Sequence, residues 1–248
     1  MTVHSPAPET AAAAPAVSDV ELLSEAESRD LRDRVHALRP QWRRRREEAP
    51  FFTLGVASYI DAAKEGFTAY SAAARRSNGL LVEHFADLYE RLGTAIGEHL
   101  SSPVGYHPGF ARPGFHVFLS DPIFATPSAS LHFDRQYEHL DWSGLGDIDF
   151  DQQLSYTLSV ALPRRGAGLL VWNVNDLELR GLDDEEKKEV MRQNRTPALH
   201  PYRVGGLAIH SGHQLHQIAP MKQMAADDER ITVQGHALPA AGRWILYW

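Results

Sequence analysis

The sequence predicts a mainly β domain that carries its helices at the N-terminal end. Residues 18–100 repeat apolar side chains every three or four positions, which is the spacing of helices that bury one face. After Pro103 the chain changes to short apolar or alternating runs that proline, glycine and aspartate separate. Helices followed by many strands favour a helical layer that supports a β-sandwich or barrel.

The composition limits the kind of partner and the kind of site. The 248 residues have a formal net charge of −7, so we expect neither nucleic acid nor an anionic membrane surface as a partner. Because the chain has no cysteine, a metal would have to be held by histidine, carboxylate or backbone oxygen. The absence of cysteine fits a cytoplasmic protein. We therefore expect a cytoplasmic protein.

The N-terminal third contains the first helical signal. Residues 1–17 are rich in alanine and proline, lack the basic start of a signal peptide, and are expected to be a disordered tail. Ser18 and Glu21 have the spacing of a capping box, which predicts a helix that ends near Pro40. The arginines at 43–46 are interpreted as a solvated charged face, with an anion or partner contact as the alternative.

Two further helices are expected before the strands begin. One covers about 57–76 and ends at Asn78–Gly79, a pair that is typical of turns. The other covers about 80–100, and residues 18–112 together are predicted to form a helical support layer. The last of these helices has one apolar stripe that should pack on a sheet, formed by Leu81, Phe85, Leu88, Leu92 and Ile96.

Short runs after Pro103 are predicted to be strands, with one helical insert. The insert has acids at 183–186 and bases at Lys187, Lys188 and Arg192, an order that stabilises a short helix. The predicted strands are 115–119, 129–133, 154–162, 168–172, 199–202, 207–210, 215–219, 231–238 and 244–248.

The stretch SASLHFD at 128–134 contains the first two candidate metal ligands. Alternate side chains of a strand share a face, so His132 and Asp134 would both reach one ion. One H-x-D pair is weak evidence, since a second pair, His139 and Asp141, lies in a polar stretch without a strand pattern. The strand context favours His132 and Asp134.

A third ligand is expected from RVGGLAIHSGHQLHQIAP, residues 203–220, which contains three histidines. With a turn at 211–212, His216 lies inside the following strand. His210 and His213 flank the turn, where they would be exposed or lie behind the ligands. For any single histidine a surface position or a hydrogen-bonded core position is the default. The strand that follows His216 supports its interpretation as the third metal ligand.

That later strand, ERITVQGHAL, carries an arginine. Alternation places Arg230, Thr232, Gln234 and His236 on one face. An arginine that points into a barrel is costly unless it meets an anion, and its planar fork suits a carboxylate that Thr232 could also bind. An internal ion pair of Arg230 with an acidic residue is an equal alternative.

The order His132-x-Asp134, then His216, then Arg230-x-Thr232 resembles the iron(II)/2-oxoglutarate-dependent dioxygenase superfamily. The strand pair around His216 and the glycine-then-strand element at 166–172 are similar to that superfamily too. The resemblance covers about 113–248, a little over half of the chain. It implies that this range is a catalytic core with a double-stranded β-helix, the jelly-roll and cupin-like architecture, integrated with the helices in one domain.

The resemblance also implies a reaction and its cofactors. His132, Asp134 and His216 would bind Fe(2+) and form the catalytic centre, while Arg230 and Thr232 would bind the far carboxylate of 2-oxoglutarate. With O2 as the second cosubstrate, oxidative decarboxylation would yield succinate and carbon dioxide. Hydroxylation of a small metabolite is the expected outcome, with desaturation, ring closure and epimerisation as related ones.

The substrate signals lie just after the first motif. Arg135, Tyr137, Glu138 and Trp142 are candidate substrate contacts. The acids suggest an amine and Arg135 suggests a carboxylate, so an amino acid or a derivative would satisfy both. Two alternatives remain at this point: a cupin-like metalloenzyme that does not use 2-oxoglutarate, and a non-catalytic small-ligand-binding barrel.

Overall fold

A computed structural model describes residues 17–127, 130–222 and 225–248. Except for Val17, the predicted tail lies outside the described residues, and so do positions 128 and 129 of one predicted strand. Within the described ranges no helix has the length and apolar character that a membrane crossing requires.

The first helix starts later than the sequence predicted. Helix α1 (Glu25–Ala37) begins at a second capping box, in which Ser24 and Glu27 make both reciprocal hydrogen bonds. Ser18–Glu21 is instead strand β1, paired antiparallel with a late strand. The prediction of a cap at Ser18 was wrong because the S-x-x-E pattern occurs twice within ten residues, and only the second is free of a sheet partner.

The two helices that were expected on either side of Asn78–Gly79 are separated at Gly66 instead. A π-helical turn (Ser58–Ala62) and α2 (Ala63–Glu65) end at Gly66, and α3 (Phe67–Leu100) then continues through Asn78–Gly79. The predicted turn does not form because the Asn78 side chain donates to the Phe110 carbonyl and accepts from the Arg112 amide, each at 2.8 Å. Helix α3 bends at Phe85, where φ is −140°.

Most of the predicted strands are present, with bounds that shift by a few residues. The predicted strand at 129–133 is an exception, since His132 makes only an isolated bridge. The observed strands are β2 (Arg43–Arg44), β3 (Phe51–Leu54), β4 (Val104–Tyr106), β5 (Gly114–Leu119), β6 (Leu154–Ala161), β7 (Leu169–Asn175), β8 (Ala198–His200), β9 (Gly206–Ser211), β10 (Gln214–Ile218), β11 (Glu229–Ala240) and β12 (Arg243–Tyr247).

The strands of the described residues form two sheets of a double-stranded β-helix. The larger has nine strands, in the order β1-β9-β6-β11-β5-β3-β2, with β12 paired to both β11 and β4. The smaller sheet has the order β10-β7-β8. The predicted jelly-roll core is confirmed. The stretch expected to be a purely helical layer nevertheless gives four short strands, β1 to β4, to the larger sheet.

The larger sheet has two chemically different faces, and α1 and α3 cover the apolar one. The stripe predicted on α3 is fully buried. It shares one hydrophobic cluster with alternate residues of the sheet, among them Phe115, Val117, Ile231 and Val233. This packing removes the apolar face from water, so the polar residues of β11 point to the opposite side, toward the smaller sheet.

The insert helix α4 (Asp184–Gln193) forms as predicted, capped by Asp183.

Candidate metal and cosubstrate site

Backbone pairing brings the three candidate ligands together. His132 and His216 exchange backbone hydrogen bonds of 3.1 and 3.0 Å, and the Asp134 amide donates to the Gly212 carbonyl at 2.9 Å. One donor atom from each of His132, Asp134 and His216 lies within 4.8 Å of the others. Strand alternation was therefore the wrong reason for their proximity, because the loop of 130–135 docks on β10 through isolated bonds.

Both histidines present the same ring nitrogen to this cluster. His132 Nδ1 lies 2.7 Å from the carbonyl of Ser130, and His216 Nδ1 lies 2.7 Å from that of Gln214. A carbonyl only accepts, so each Nδ1 carries the proton and each Nε2 keeps a lone pair. Those Nε2 atoms lie 3.6 and 3.5 Å from the two oxygens of Asp134. The arrangement offers two neutral imidazoles and one carboxylate to a cation.

Asp134 is fully buried and remains a carboxylate. Burial by itself raises the pKa of Asp134, but the imidazoles of His216, His236 and His132 outweigh that effect and hold the pKa well below its ordinary value. Ser155 Oγ donates to Oδ2 at 2.5 Å and Gln136 Nε2 donates to Oδ1 at 2.6 Å. The carboxylate therefore carries its negative charge next to the two Nε2 atoms.

The other histidines of the motif region lie close by without joining the cluster. His210 is buried, and its ring centroid lies 4.8 Å from that of His216. Burial lowers the pKa of His210 to about 3. His213 is also buried, and it contacts the Phe150 carbonyl and Asp176. Of the two positions expected for this pair, exposed or behind the ligands, the structure does not show the exposed one. His139 and Asp141 are outside the three-residue cluster found in the described part of the chain.

Arg230 lines the same cavity as His132 and His216, behind which Asp134 is fully buried. Its side chain is buried, and Nε and Nη1 have no hydrogen-bond partner among the described residues. Its guanidinium lies over the rings of Tyr202 and Phe118, at 5.4 and 5.9 Å from their centroids. No described carboxylate forms an ion pair with it, which removes the alternative of an internal pair. Thr232 lines the cavity two residues further along β11.

The cavity between the sheets has a volume of about 370 Å³. Of the four candidate substrate contacts, Arg135 and Glu138 line it, and the Arg135 guanidinium is ion-paired with Asp176. Tyr137 and Trp142 do not line it. Trp142 packs in a separate aromatic cluster with Phe110 and Tyr247, and Tyr137 lies against that cluster.

Several cavity residues escaped the sequence reasoning. Thr157 had a signal, since polar residues alternate with apolar ones along the predicted strand 154–162. The same pattern includes Ser155, which contacts Asp134 and does not line the cavity. Tyr59 and His116 had none, because their hydrogen bond of 2.7 Å joins the π-helical turn to β5. Gln136 and Tyr202 are further lining residues that were not foreseen. Arg46 also lines the cavity, and it belongs to the run for which an anion contact was the alternative.

The run at 43–46 is only partly the solvated face that was predicted. Arg43, Arg44 and Arg46 are exposed. The Arg45 side chain is buried and makes a two-pronged pair with the buried carboxylate of Asp61, both bonds at 2.8 Å. An amphipathic sequence pattern could not separate Arg45 from its neighbours, because its partner lies sixteen residues away.

Comparisons with known proteins place the fold. No family model and no curated protein matches the sequence. Among solved structures, an N-substituted L-amino acid dioxygenase from Burkholderia ambifaria is 15% identical, with a TM-score of 0.55 over 94% of this chain and 86% of that one. The same enzyme in complex with alpha-KG gives 14% identity and a TM-score of 0.56, with the same coverage.

A third solved structure that is similar to this chain is named for a different activity. The non-heme alpha-ketoglutarate-dependent epimerase SnoN from nogalamycin biosynthesis is 13% identical, with a TM-score of 0.50 over 89% of this chain and 76% of that one. The chain therefore has the double-stranded β-helix fold of 2-oxoglutarate-dependent oxygenases. This agrees with the resemblance seen in the order of its motifs.

Proposed function

We propose that this protein is an Fe(II)/2-oxoglutarate-dependent oxygenase that oxidises a C–H bond of a small metabolite. The observation that carries the proposal is one cavity lined both by the two histidines of the His132–Asp134–His216 donor cluster and by a buried arginine without a carboxylate partner among the described residues. Either feature alone has an ordinary structural explanation. Their combination fits a site for a metal and an anionic cosubstrate.

The donor set fits iron(II). Two imidazoles and one carboxylate on one side of the ion leave the remaining coordination positions free for cosubstrates. The protonation states of the ligands support this use. Burial lowers the pKa of His216, which favours the neutral imidazole, and the pKa of Asp134 lies well below its ordinary value, which keeps the carboxylate ionised. When bound, the iron supplies the activation of O2, and the chain supplies the orientation and the shielding.

Arg230 fits the far carboxylate of 2-oxoglutarate. A buried unpaired charge costs several kcal/mol. Arg230 lines the cavity together with His132 and His216, and its Nε and Nη1 have no hydrogen-bond partner among the described residues. Its planar fork matches a carboxylate, and the Thr232 hydroxyl lies on the same face of β11. The guanidinium also lies over the rings of Tyr202 and Phe118. An anion of this shape would supply the missing partner.

The substrate is proposed to be an amino acid or a derivative. Arg46 lines the cavity and has no ion-pair partner among the described residues, whereas Arg135 is already paired with Asp176. Glu138 also lines the cavity and lies at the exposed end. A substrate carboxylate at Arg46 and an amine at Glu138 would match these charges. The activity named for the Burkholderia ambifaria enzyme is in line with this class.

In its hydroxylating form the proposed reaction balances without a further reductant. The substrate C–H bond, O2 and 2-oxoglutarate yield an alcohol, succinate and carbon dioxide, with one oxygen atom entering the alcohol and one entering succinate. Tyr59 and His116 form a polar contact in the cavity wall, and Phe51 and Phe124 provide the apolar surface around it. These residues would orient the substrate and exclude bulk water.

An anaerobic titration tests the metal and cosubstrate parts. Iron(II) and then 2-oxoglutarate are added to the protein, and the visible spectrum is followed. A charge-transfer band that requires both additions is expected, because chelation of iron by 2-oxoglutarate produces it. Iron binding without any response to 2-oxoglutarate would favour a cupin-like metalloenzyme, and no iron binding would favour a non-catalytic barrel.

A substrate screen tests the class. Succinate release is measured with amino acids, N-substituted amino acids, carboxylic acids that lack an amine and amines that lack a carboxylate. Release above the background is expected only where both groups are present. Equal stimulation by the simple acids would contradict the role proposed for Glu138.

A further inference from the structure

The carboxylate of Asp134 is held from the protein side at both of its oxygens. Ser155 Oγ donates to Oδ2 at 2.5 Å, and Gln136 Nε2 donates to Oδ1 at 2.6 Å. Ser155 is 1% exposed and Gln136 is 7% exposed, so water does not compete for either bond. Each oxygen still has a lone pair that is not used by these donors.

Ser155 is in turn held by His236. A serine hydroxyl has one proton, and in this site that proton goes to Asp134, so Ser155 Oγ accepts the hydrogen bond of 3.0 Å that joins it to His236 Nδ1. The proton of His236 is thereby fixed on Nδ1. The result is a directed chain of hydrogen bonds from β11 through β6 to the loop of Asp134.

The three ligands are thus oriented in two different ways. His132 and His216 are each held by a backbone carbonyl two residues before them. Among the described residues no backbone N–H donates to the oxygens of Asp134, which depend on the side chains of Ser155 and Gln136. A carboxylate without these contacts would rotate about its last torsion and present either oxygen, or both, to an ion.

We propose that Ser155 and Gln136, with His236 behind Ser155, are positioning residues that fix the orientation of the Asp134 carboxylate toward the metal. These three residues are called the carboxylate cradle below. The inference rests on the proposed function, since it assumes that Asp134 is a metal ligand. Partners of this kind typically change metal affinity by about 10- to 100-fold when they are removed.

The chain offers a matched control on the same strand. Ser159 lies four residues after Ser155 on the same face of β6, is 0% exposed, and its hydroxyl has no hydrogen-bond partner among the described residues. Ser159→Ala and Ser155→Ala therefore make the same change in equally buried positions, and only Ser155→Ala removes a bond to the carboxylate.

The test uses Co(II) alone as the probe, so that no substrate or turnover is needed. The dissociation constant and the visible absorption of bound Co(II), which reports the geometry of its ligands, are measured for the unmutated protein and for Ser155→Ala, Gln136→Leu and Ser159→Ala. Ser155→Ala and Gln136→Leu should bind about 10- to 100-fold more weakly with an altered spectrum. Ser159→Ala should leave both unchanged, and Ser155→Thr, which keeps the hydroxyl, should restore both.

The outcomes separate this inference from the function on which it rests. Unmutated affinity and spectrum in Ser155→Ala and Gln136→Leu would overturn the cradle and leave the proposed oxygenase intact. Absence of Co(II) binding by the unmutated protein would remove the metal site, and the cradle with it. If Ser155→Ala does not fold, Gln136→Leu decides, because Gln136 lies in a short 3-10 turn and supports the other oxygen.

Discussion

At the scale of single residues, the site combines groups that burial makes neutral with groups that burial leaves charged. Burial holds His116 and His210 neutral, lowering the pKa of each to about 3, while Arg230 keeps a charge without a carboxylate beside it. A protein gains no stability from such an arginine. The cost is offset only when an anion enters the cavity. Removal of the arginine should therefore leave the free energy of unfolding unchanged or higher, and it should weaken the binding of the anion.

Arg230→Met separates these two effects. The free energy of unfolding of the ligand-free protein should stay the same or rise, because an unpaired buried charge is replaced by an apolar chain of similar length. The free energy of 2-oxoglutarate binding should fall by about 2–5 kcal/mol, as for other buried charge pairs. Urea unfolding and anaerobic titration measure the two quantities. Arg180→Met, at an exposed arginine, should alter neither, and a large loss of stability in Arg230→Met would contradict the assignment.

The iron ligands admit an equally direct comparison. His216→Ala should abolish iron(II) binding and 2-oxoglutarate turnover, since a histidine and a carboxylate alone rarely hold the ion against water. His139→Ala is the control, because His139 lines the same cavity but lies outside the donor cluster. Iron content by metal analysis is the measurement. Full occupancy in His216→Ala would show that the site is built from other residues.

The order of the motifs was sufficient to predict the residues that converge, but not those that support them. His132, Asp134, His216 and Arg230 could be named because their types and order carry chemical meaning. Ser155 could not be linked to Asp134 from sequence, because the contact spans 21 positions and depends on how a loop docks on β6. A residue that orients a metal ligand, as Ser155 does, has no recognisable sequence pattern of its own.

At the scale of elements, the differences from prediction come from local signals that tertiary contacts override. The S-x-x-E pattern is a valid cap at Ser24 and is unused at Ser18, and Asn78 gives its amide to a neighbouring loop rather than to a turn. The strands β3 and β4 are three or four residues long, too short for a pattern to emerge. Long periodic elements such as α3 could be predicted, and short edge strands could not.

Two glycines, Gly66 just before α3 and Gly79 inside it, should change stability in opposite directions when replaced by alanine. A Cβ would meet open space at both Gly66 and Gly79, but φ is +81° at Gly66 and helical at Gly79. Gly79→Ala should stabilise the protein by about 0.5–1 kcal/mol, through helix propensity. Gly66→Ala should destabilise it by about 1 kcal/mol or more, through strain. Urea unfolding measures both, and equal effects would show that backbone conformation does not decide them.

The turn that carries Tyr59 depends on a buried ion pair. Asp61 accepts two hydrogen bonds from Arg45 and one from the Ala57 amide, each within 2.8 Å. Asp61→Asn should lower the free energy of unfolding by about 3–5 kcal/mol, because it leaves a buried guanidinium without its counter-charge. Asp227→Asn, in the exposed pair with Arg164, should have a far smaller effect, because water and salt screen that pair. Similar losses in the two variants would contradict the role of the buried pair.

At the scale of the whole molecule, one sheet separates two environments. Its outer face completes the apolar core with α1 and α3, and its inner face carries the polar residues of the cavity. The alternation along β11 made this division predictable, since a shift of one residue would exchange the faces. What the alternation did not predict is how many ionisable groups the inner face holds away from water, and those groups should govern the response to acid.

The metal-free protein should lose stability steadily as the pH falls below about 6.5. Burial lowers the pKa of His116 and His210 to about 3 and that of His236 to about 4. The unfolded chain takes up protons at these histidines near its ordinary pKa of about 6.5, while the folded chain does not, so acid favours unfolding. Each such histidine contributes a slope of roughly 1.4 kcal/mol per pH unit between the unfolded and the folded pKa.

Urea unfolding in the presence of a chelator, at several pH values between about 7.5 and 5, measures this slope. His116→Gln should reduce it by the contribution of one proton, whatever its effect on stability at neutral pH, because glutamine does not titrate. His116 suits the experiment since it is paired with Tyr59 and is not one of the candidate ligands. An identical slope in His116→Gln would mean that this ring is already protonated in the folded protein.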